Sequence, residues 1–201
     1  DVITQVIASW GERGSIDVFD SIRTLEQRVG FKVWIGEEAT EDGVWQQFKT
    51  HFDVLSQENA FVSPQQTLET LTSGKAREKQ AVAEIMALVG NIMAQREASQ
   101  SWPDDNFTSL YQRFKSDDPQ VTLRKLTHNI INANQGFLSN LYAALCWSLI
   151  NLKQHPDTQR RLEAEISATK EKFGDNFHES QDALDSMRFC EQLLMESVRL
   201  A

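Results

Sequence analysis

Residues Trp147 to Ile166 read WSLINLKQHPDTQRRLEAEI, and the break inside this stretch at His155-Pro156-Asp157 decides the fold. Upstream of it, from Pro119 to Gln154, the chain holds one glycine, Gly136, and no further proline. Leu123, Leu126, Ile130, Phe137, Leu141, Leu145 and Leu152 recur there at helical spacing. The segment is expected to be one helix of about 35 residues crossing the whole core, about 50 Å long at about 1.5 Å per residue. Its most apolar part, Leu138 to Leu152, is interrupted by Ser139, Asn140, Ser148 and Asn151. That part is shorter than the roughly 20 residues a membrane span needs, so it reads as a buried core helix. Pro156 suits the first turn of a new helix, where its missing N–H costs nothing, and Asp157 suits the positive end of that helix. The new helix is expected to run to about Phe173 with its charges outward.

Working outward, the same punctuation predicts helices almost everywhere. Val2 to Trp10 forms one, ended by Gly11 to Gly14. Ser15 or Asp17 caps a second that runs to about Ile35, with Gly36 as its C-terminal stop. A third covers Val44 to Glu58 and places Trp45, Phe48, Phe52 and Leu55 on one face. Residues 59–73 mix Pro, Ser, Thr and apolar side chains without a period and read as a loop, of a length that is often functional. Gly74 to Ser99 is a long amphipathic helix with Val82, Ile85, Met86, Val89, Ile92 and Met93 inward. Asp105 or Asn106 caps a short helix through Lys115, and a last helix spans about Ser186 to Ala201 after the turn at Gly174-Asp175-Asn176. The architecture is therefore mainly α, with no internal repeat.

Composition narrows the class. The 201 residues are 40% hydrophobic, 24% charged and 9% aromatic, which is the balance of a packed globular chain. A net charge of -9 argues against a surface built to hold nucleic-acid phosphates, and no nucleic-acid partner is expected. Mean hydropathy of -0.44 argues against a membrane-embedded protein, and no membrane segment is expected in this chain. The two cysteines, Cys146 and Cys190, sit in apolar runs and read as small core residues, which points to a reducing compartment and a cytoplasmic location. His51, His128, His155 and His178 are far apart, without zinc-site spacing, so no metal ligands are expected. No phosphate-binding glycine loop or nucleophile elbow occurs. Charged residues taken singly read as solvated helix faces.

Three features of the C-terminal third occur in a fixed order. Trp147 precedes His155-Pro156, then comes Gln159-x-x-Leu162-x-x-Glu165-Ile166, then Glu196-x-x-Arg199. This succession resembles the cytochrome P-450 family, in which a long helix over the haem ends in Trp and His-Pro and a Glu-x-x-Arg helix lies behind the haem. Val18-Phe19-Asp20 opening a helix and the aromatic helix before the loop agree with that family's distal half. The resemblance implies a partial fold of that type, an internal piece lacking the N-terminal sheet region and the Cys-ligand loop. Residues 1–201 would form a single helical segment: 1–118 as distal helices and lid, 119–154 as the haem-crossing helix, and 156–201 as the following helices. Glu196 and Arg199 would be a structural pair, a carboxylate clamping a guanidinium fork whose third member is expected beyond Ala201. Haem would be the cofactor, with its thiolate ligand outside this chain.

The resemblance also places the oxygen-activation stretch on Gly136-Phe137-Leu138-Ser139-Asn140, where the family carries an acid and an alcohol. Here Ser139 and Asn140 stand at those positions; they can order water or donate hydrogen bonds but do not titrate near neutrality. They are the candidate catalytic residues. Asn132, Gly136, Phe137 and Asn140 would lie against the cofactor, and Phe61, Val62 and Leu68 would line the substrate route. The resemblance implies a monooxygenase-type oxidoreductase acting on a small organic substrate, served by a redox partner protein. Asn132-Ala133-Asn134-Gln135-Gly136 is also similar to the Asn-bearing stretch of members that rearrange peroxides. A haem isomerase or dehydratase that uses no dioxygen is therefore the alternative, and a non-catalytic remnant of the fold is a third.

Overall fold

Long intervals without glycine or proline let the backbone close its i to i−4 hydrogen bonds, and helices result. The computed structural model describes residues 2–11, 13–56 and 75–200, with residue 42 and residues 137–140 described by backbone alone. Among the described residues there are nine α-helices and no strand, a mainly α architecture as expected. They are α1 (Val2–Ser9), α2 (Val18–Trp34), α3 (Asp42–Ser56), α4 (Ala76–Ser99), α5 (Asn106–Phe114), α6 (Pro119–Gln154), α7 (Pro156–Phe173), α8 (Gln181–Ser186) and α9 (Arg188–Leu200). Two short 3-10 turns, Glu37–Thr40 and Phe177–Glu179, were not foreseen, nor was the separation of α8 from α9.

Local chemistry sets the ends. Asp17 Oδ1 accepts the backbone N–H of Asp20 at 2.9 Å and caps α2, while Asp105 Oδ1 accepts that of Thr108 at 2.8 Å and caps α5. Gly36 ends α2 with a φ of 115°, and its N–H donates to the carbonyls of Phe31 and Lys32. The long helix α6 spans the predicted Pro119–Gln154, and Pro156 takes the first turn of α7.

The chain divides into two compact units, Asp1–Ile16 with Arg23–Ser139, and Asp17–Ile22 with Asn140–Ala201. In the first unit α3 turns its aromatic face to α4. Phe48 and Phe52 are fully buried, with Phe31 of α2 at ring distances of 5.5 and 5.0 Å. Ile85, Val89 and Ile92 of α4 and Leu126 and Ile130 of α6 complete this core. One charge belongs to it. Arg96, 2% exposed, is gripped by Glu38 at 2.7 Å and Asp105 at 2.7 Å and also donates to the Ile35 carbonyl and Thr108 Oγ1. Burial opposes the Arg96 charge, but the two carboxylates outweigh it and keep the guanidinium protonated.

In the second unit the expectation of a uniformly buried α6 is corrected. Leu141, Trp147 and Leu149 are exposed, Leu145 and Leu152 are half-buried, and the buried residues are Ala144, Cys146 and Ser148. Cys146 Sγ lies 3.9 Å from the Val18 carbonyl, and Phe19 meets Tyr142 edge-on, so it is the Tyr142–Cys146 face of the helix, two residues four apart, that meets the 17–22 segment. Ser148 satisfies its buried hydroxyl on the Ala144 carbonyl of its own helix.

Candidate functional site

Helix α6 carries Asn132, Gly136, Phe137, Ser139 and Asn140. Asn132 and Gly136 stand four apart and share a face, and both are exposed. A Cβ added at Gly136 would meet nothing within 4 Å, so the helix presents bare backbone to open space there. Glycine in a helix interior costs about 1 kcal/mol against alanine, and what it allows is close approach of a flat group to the backbone. Asn134 behaves differently. It is fully buried, its amide donates to the Ile130 carbonyl at 3.0 Å, and its Oδ1 has no hydrogen-bond partner among the described residues. The Asn-bearing stretch therefore splits, with Asn132 on the exposed face and Asn134 in the core.

The side chains of Phe137, Ser139 and Asn140 lie outside the described residues, as do Phe61, Val62 and Leu68. Among the described residues no three His, Cys, Asp or Glu side chains come together as a metal site. What is present on α6, an exposed amide at Asn132 and side-chain-free backbone at Gly136, fits the wall beside a flat cofactor rather than a set of metal ligands. A hollow of about 190 Å³ lined by Glu38, Glu41, Val44, Leu88 and Ile92 belongs to another part of the first unit. It is smaller than the roughly 300–1,000 Å³ of ligand pockets, and no sequence-predicted site residue lines it.

In the second unit the Glu196–Arg199 pair forms as the spacing implies. Arg199 Nε donates to Glu196 Oε2 at 2.7 Å and Nη2 to Oε1 at 2.6 Å, a bidentate fork on exposed side chains. The hydrogen bond from Arg199 holds the Glu196 carboxyl below its usual value. Ser197, between them in sequence, is buried, and its hydroxyl accepts from the Asn151 amide of α6 at 3.3 Å. At the other end of α9, Glu165 of α7 accepts the backbone N–H groups of Phe189 and Cys190, each at 2.8 Å. Burial, and then the Glu165 charge, push the Cys190 thiol up, so this cysteine is protonated at neutral pH.

Two charged residues depart from the solvated-face reading. Arg96 is the core cluster described above. Glu26 of α2 is 3% exposed, with neither carboxylate oxygen partnered among the described residues. Burial pushes its pKa up to about 8, so it is a neutral acid at neutral pH. No local spacing signals either residue. For Glu165 there was a signal, its place in the Gln-x-x-Leu-x-x-Glu-Ile block, but not the partner it would find.

The family model described as Cytochrome P-450 matches residues 7–201. Sterol 14alpha-demethylases of Mycobacterium bovis and Mycobacterium tuberculosis are 25% identical to the chain over 206 aligned positions. The alignment covers 100% of this chain and 44% of each relative, so the chain spans less than half the length of the curated relatives it matches. Among the described residues, no helix is long and apolar enough to cross a membrane.

Proposed function

The chain belongs to the cytochrome P-450 family, whose cofactor is haem, and from that premise we propose that the complete protein is a haem-thiolate oxidoreductase of the monooxygenase type acting on a small organic substrate. The observation that carries the proposal is the family match over residues 7–201. The relatives named as sterol 14alpha-demethylases support an oxidative reaction class. When bound, haem supplies one-electron redox chemistry and the activation of oxygen.

In this reading α6 is the wall on the distal side. Gly136, by leaving the backbone bare, Phe137, by its apolar ring, and Asn132, by its amide, are the residues of α6 that would hold the haem. Ser139 and Asn140 hold a water, or a substrate hydroxyl, by hydrogen bonds. Neither side chain ionises near neutral pH, so protons reach the site through that water rather than from a carboxylic acid. Phe61, Val62 and Leu68 give the substrate route an apolar lining, and electrons arrive from a redox partner protein. The thiolate comes from the part of the protein outside this chain. Residues 1–118 serve as distal helices and lid, and 156–201 hold the Glu196–Arg199 pair.

The carbon-monoxide difference spectrum of the ferrous, complete protein tests the proposal. A thiolate-type band supports it, and absence of any haem signal overturns it. The Ser139 and Asn140 positions also favour a second reading, an isomerase or dehydratase that needs no proton relay to dioxygen. Product formed at the full rate without electron donor and without dioxygen would select that reading over the first.

A further inference from the structure

The first turn of an α-helix leaves its leading N–H groups without partners inside the helix, and a side chain just before the helix commonly supplies the acceptor. The side chain of Met187, which precedes α9, has no oxygen to offer. The acceptor comes instead from another helix: Glu165, in the middle of α7, takes the N–H of Phe189 on Oε1 and that of Cys190 on Oε2. The difference matters for position. A local cap travels with its helix and stabilises it wherever it lies, whereas a cap from another helix fixes where α9 starts. Two bonds to neighbouring amides fix its rotation about its own axis as well. One turn earlier on α7, Arg161 lays its guanidinium over the Phe189 ring at 4.2 Å and reinforces the same contact. Toward the far end, buried Ser197 is tied to Asn151 of α6. Glu196 and Arg199 lie on either side of Ser197 and about two turns beyond the Glu165 contact.

We infer that Glu165 is a positioning residue for the Glu196–Arg199 pair: by capping α9 from α7 it sets the register and rotation of that helix, and so where the pair is held relative to the haem. The inference rests on the haem-thiolate reading above. A carboxylate at the positive end of α9 also favours the helix through its dipole, but that effect alone would be a matter of stability and not of place. The two roles give different results.

The complete haem-loaded protein is compared with its Glu165→Gln, Glu165→Asp and Ser180→Ala variants. Gln offers one acceptor oxygen and turns an N–H group toward an N–H group. Asp keeps both oxygens on a shorter stem. Ser180→Ala removes the local cap of α8, where Ser180 Oγ accepts the Ala183 N–H, in the same unit and without touching α9. Two quantities are read: the urea midpoint, and the rate at which haem passes to excess apomyoglobin. Glu165→Gln is expected to speed haem loss on the order of tenfold or more, the usual effect of removing a group that orients a cofactor's holders. Glu165→Asp is expected to fall between it and the parent, and it serves as the measured variant if Gln does not fold. Ser180→Ala is expected to lower the midpoint while haem loss stays within about twofold of the parent, because it weakens a helix end without moving the pair. Haem loss unchanged in the Glu165 variants, or raised equally by Ser180→Ala, overturns the positioning role. A parent protein with no thiolate-type band removes the haem-thiolate reading itself and the inference with it, and that is read before any variant is made.

Discussion

Replacing Gly36 by alanine tests the account of the Arg96 cluster, because two independent costs meet at one atom. The φ of Gly36 is 115°, a backbone state that L side chains rarely adopt, and holding alanine there costs about 1–3 kcal/mol. The added Cβ would also sit 2.4 Å from Arg96 Nη2, 2.8 Å from Glu38 Oε2 and 3.0 Å from Asp105 Oδ2. Nη2 is the nitrogen that donates to the Ile35 carbonyl, to Glu38 and to Asp105, so it cannot step aside without giving up all three. Breaking a buried ion pair costs about 3–5 kcal/mol, and the lower end applies because Glu38 and Asp105 keep 23% and 19% of their side-chain surface. Gly36→Ala is therefore expected to lose about 4–6 kcal/mol, a large fraction of the roughly 5–15 kcal/mol that holds a domain together. Urea unfolding of the parent and variant measures it. The Arg96 part of the clash is isolated by repeating the substitution on an Arg96→Met background, where the backbone strain and the approach to Glu38 and Asp105 remain, and the two changes should fall short of additivity by up to about 3 kcal/mol. A loss under about 1 kcal/mol, or strict additivity, would refute the reasoning.

The same cluster predicts an acid dependence. Hydrogen bonding to Arg96 holds the Glu38 carboxyl below its ordinary value, and Asp105 is likewise lowered, by Arg96 against the opposing effect of burial. Carboxyls lowered in the folded state contribute fully above their unfolded pKa of about 4, and the contribution is lost as pH falls through the folded values. Arg96→Met should flatten that part of the stability curve, and a curve as steep as the parent's would count against the cluster as its source. Glu26 runs the other way: with its pKa pushed up to about 8, its folded form is favoured when neutral, so stability falls as pH rises from about 4 and levels off above about 8. Glu26→Gln should gain on the parent across that window, as thermal midpoints at about pH 5 and pH 9 will show; an advantage independent of pH would mean that Glu26 is not the titrating group. Asn140→Ala is expected to alter turnover, or the fraction of electrons recovered as product. If both stay unchanged, Asn140 has no part in the mechanism.

Much of the secondary structure was legible because its causes are local. A proline beside a histidine stops α6 and starts α7, a glycine in the left-handed region stops α2, and aspartates cap α2 and α5, each acting within one helical turn. The aromatic stripe of α3 was legible for the same reason, since a 3.6-residue period alone places Trp45, Phe48, Phe52 and Leu55 on one side. The second half of α6 was not. Its leucines follow the period, yet Ala144, Cys146 and Ser148 are what it buries, and the face that meets the 17–22 segment is that of Tyr142 and Cys146, a choice made by tertiary contact and not by the period.

Charged residues mark the boundary between the two kinds of information. In sequence Arg96 and Glu26 are two more polar positions on helices, indistinguishable from their exposed neighbours, and Glu165 is marked by its motif but not by what it binds. What separates them is the company they find: two carboxylates from residues 9 and 58 positions away, no partner at all among the described residues, and two amides 24 and 25 positions downstream. The order of Trp147, His155-Pro156, Glu165 and Glu196-x-x-Arg199 carried the resemblance to the family whose model matches residues 7–201, because that order is a property of the chain alone. Which carboxylate is neutral, which is paired and which one holds another helix in place depends on desolvation and on partners distant in sequence, and only the tertiary structure decided those.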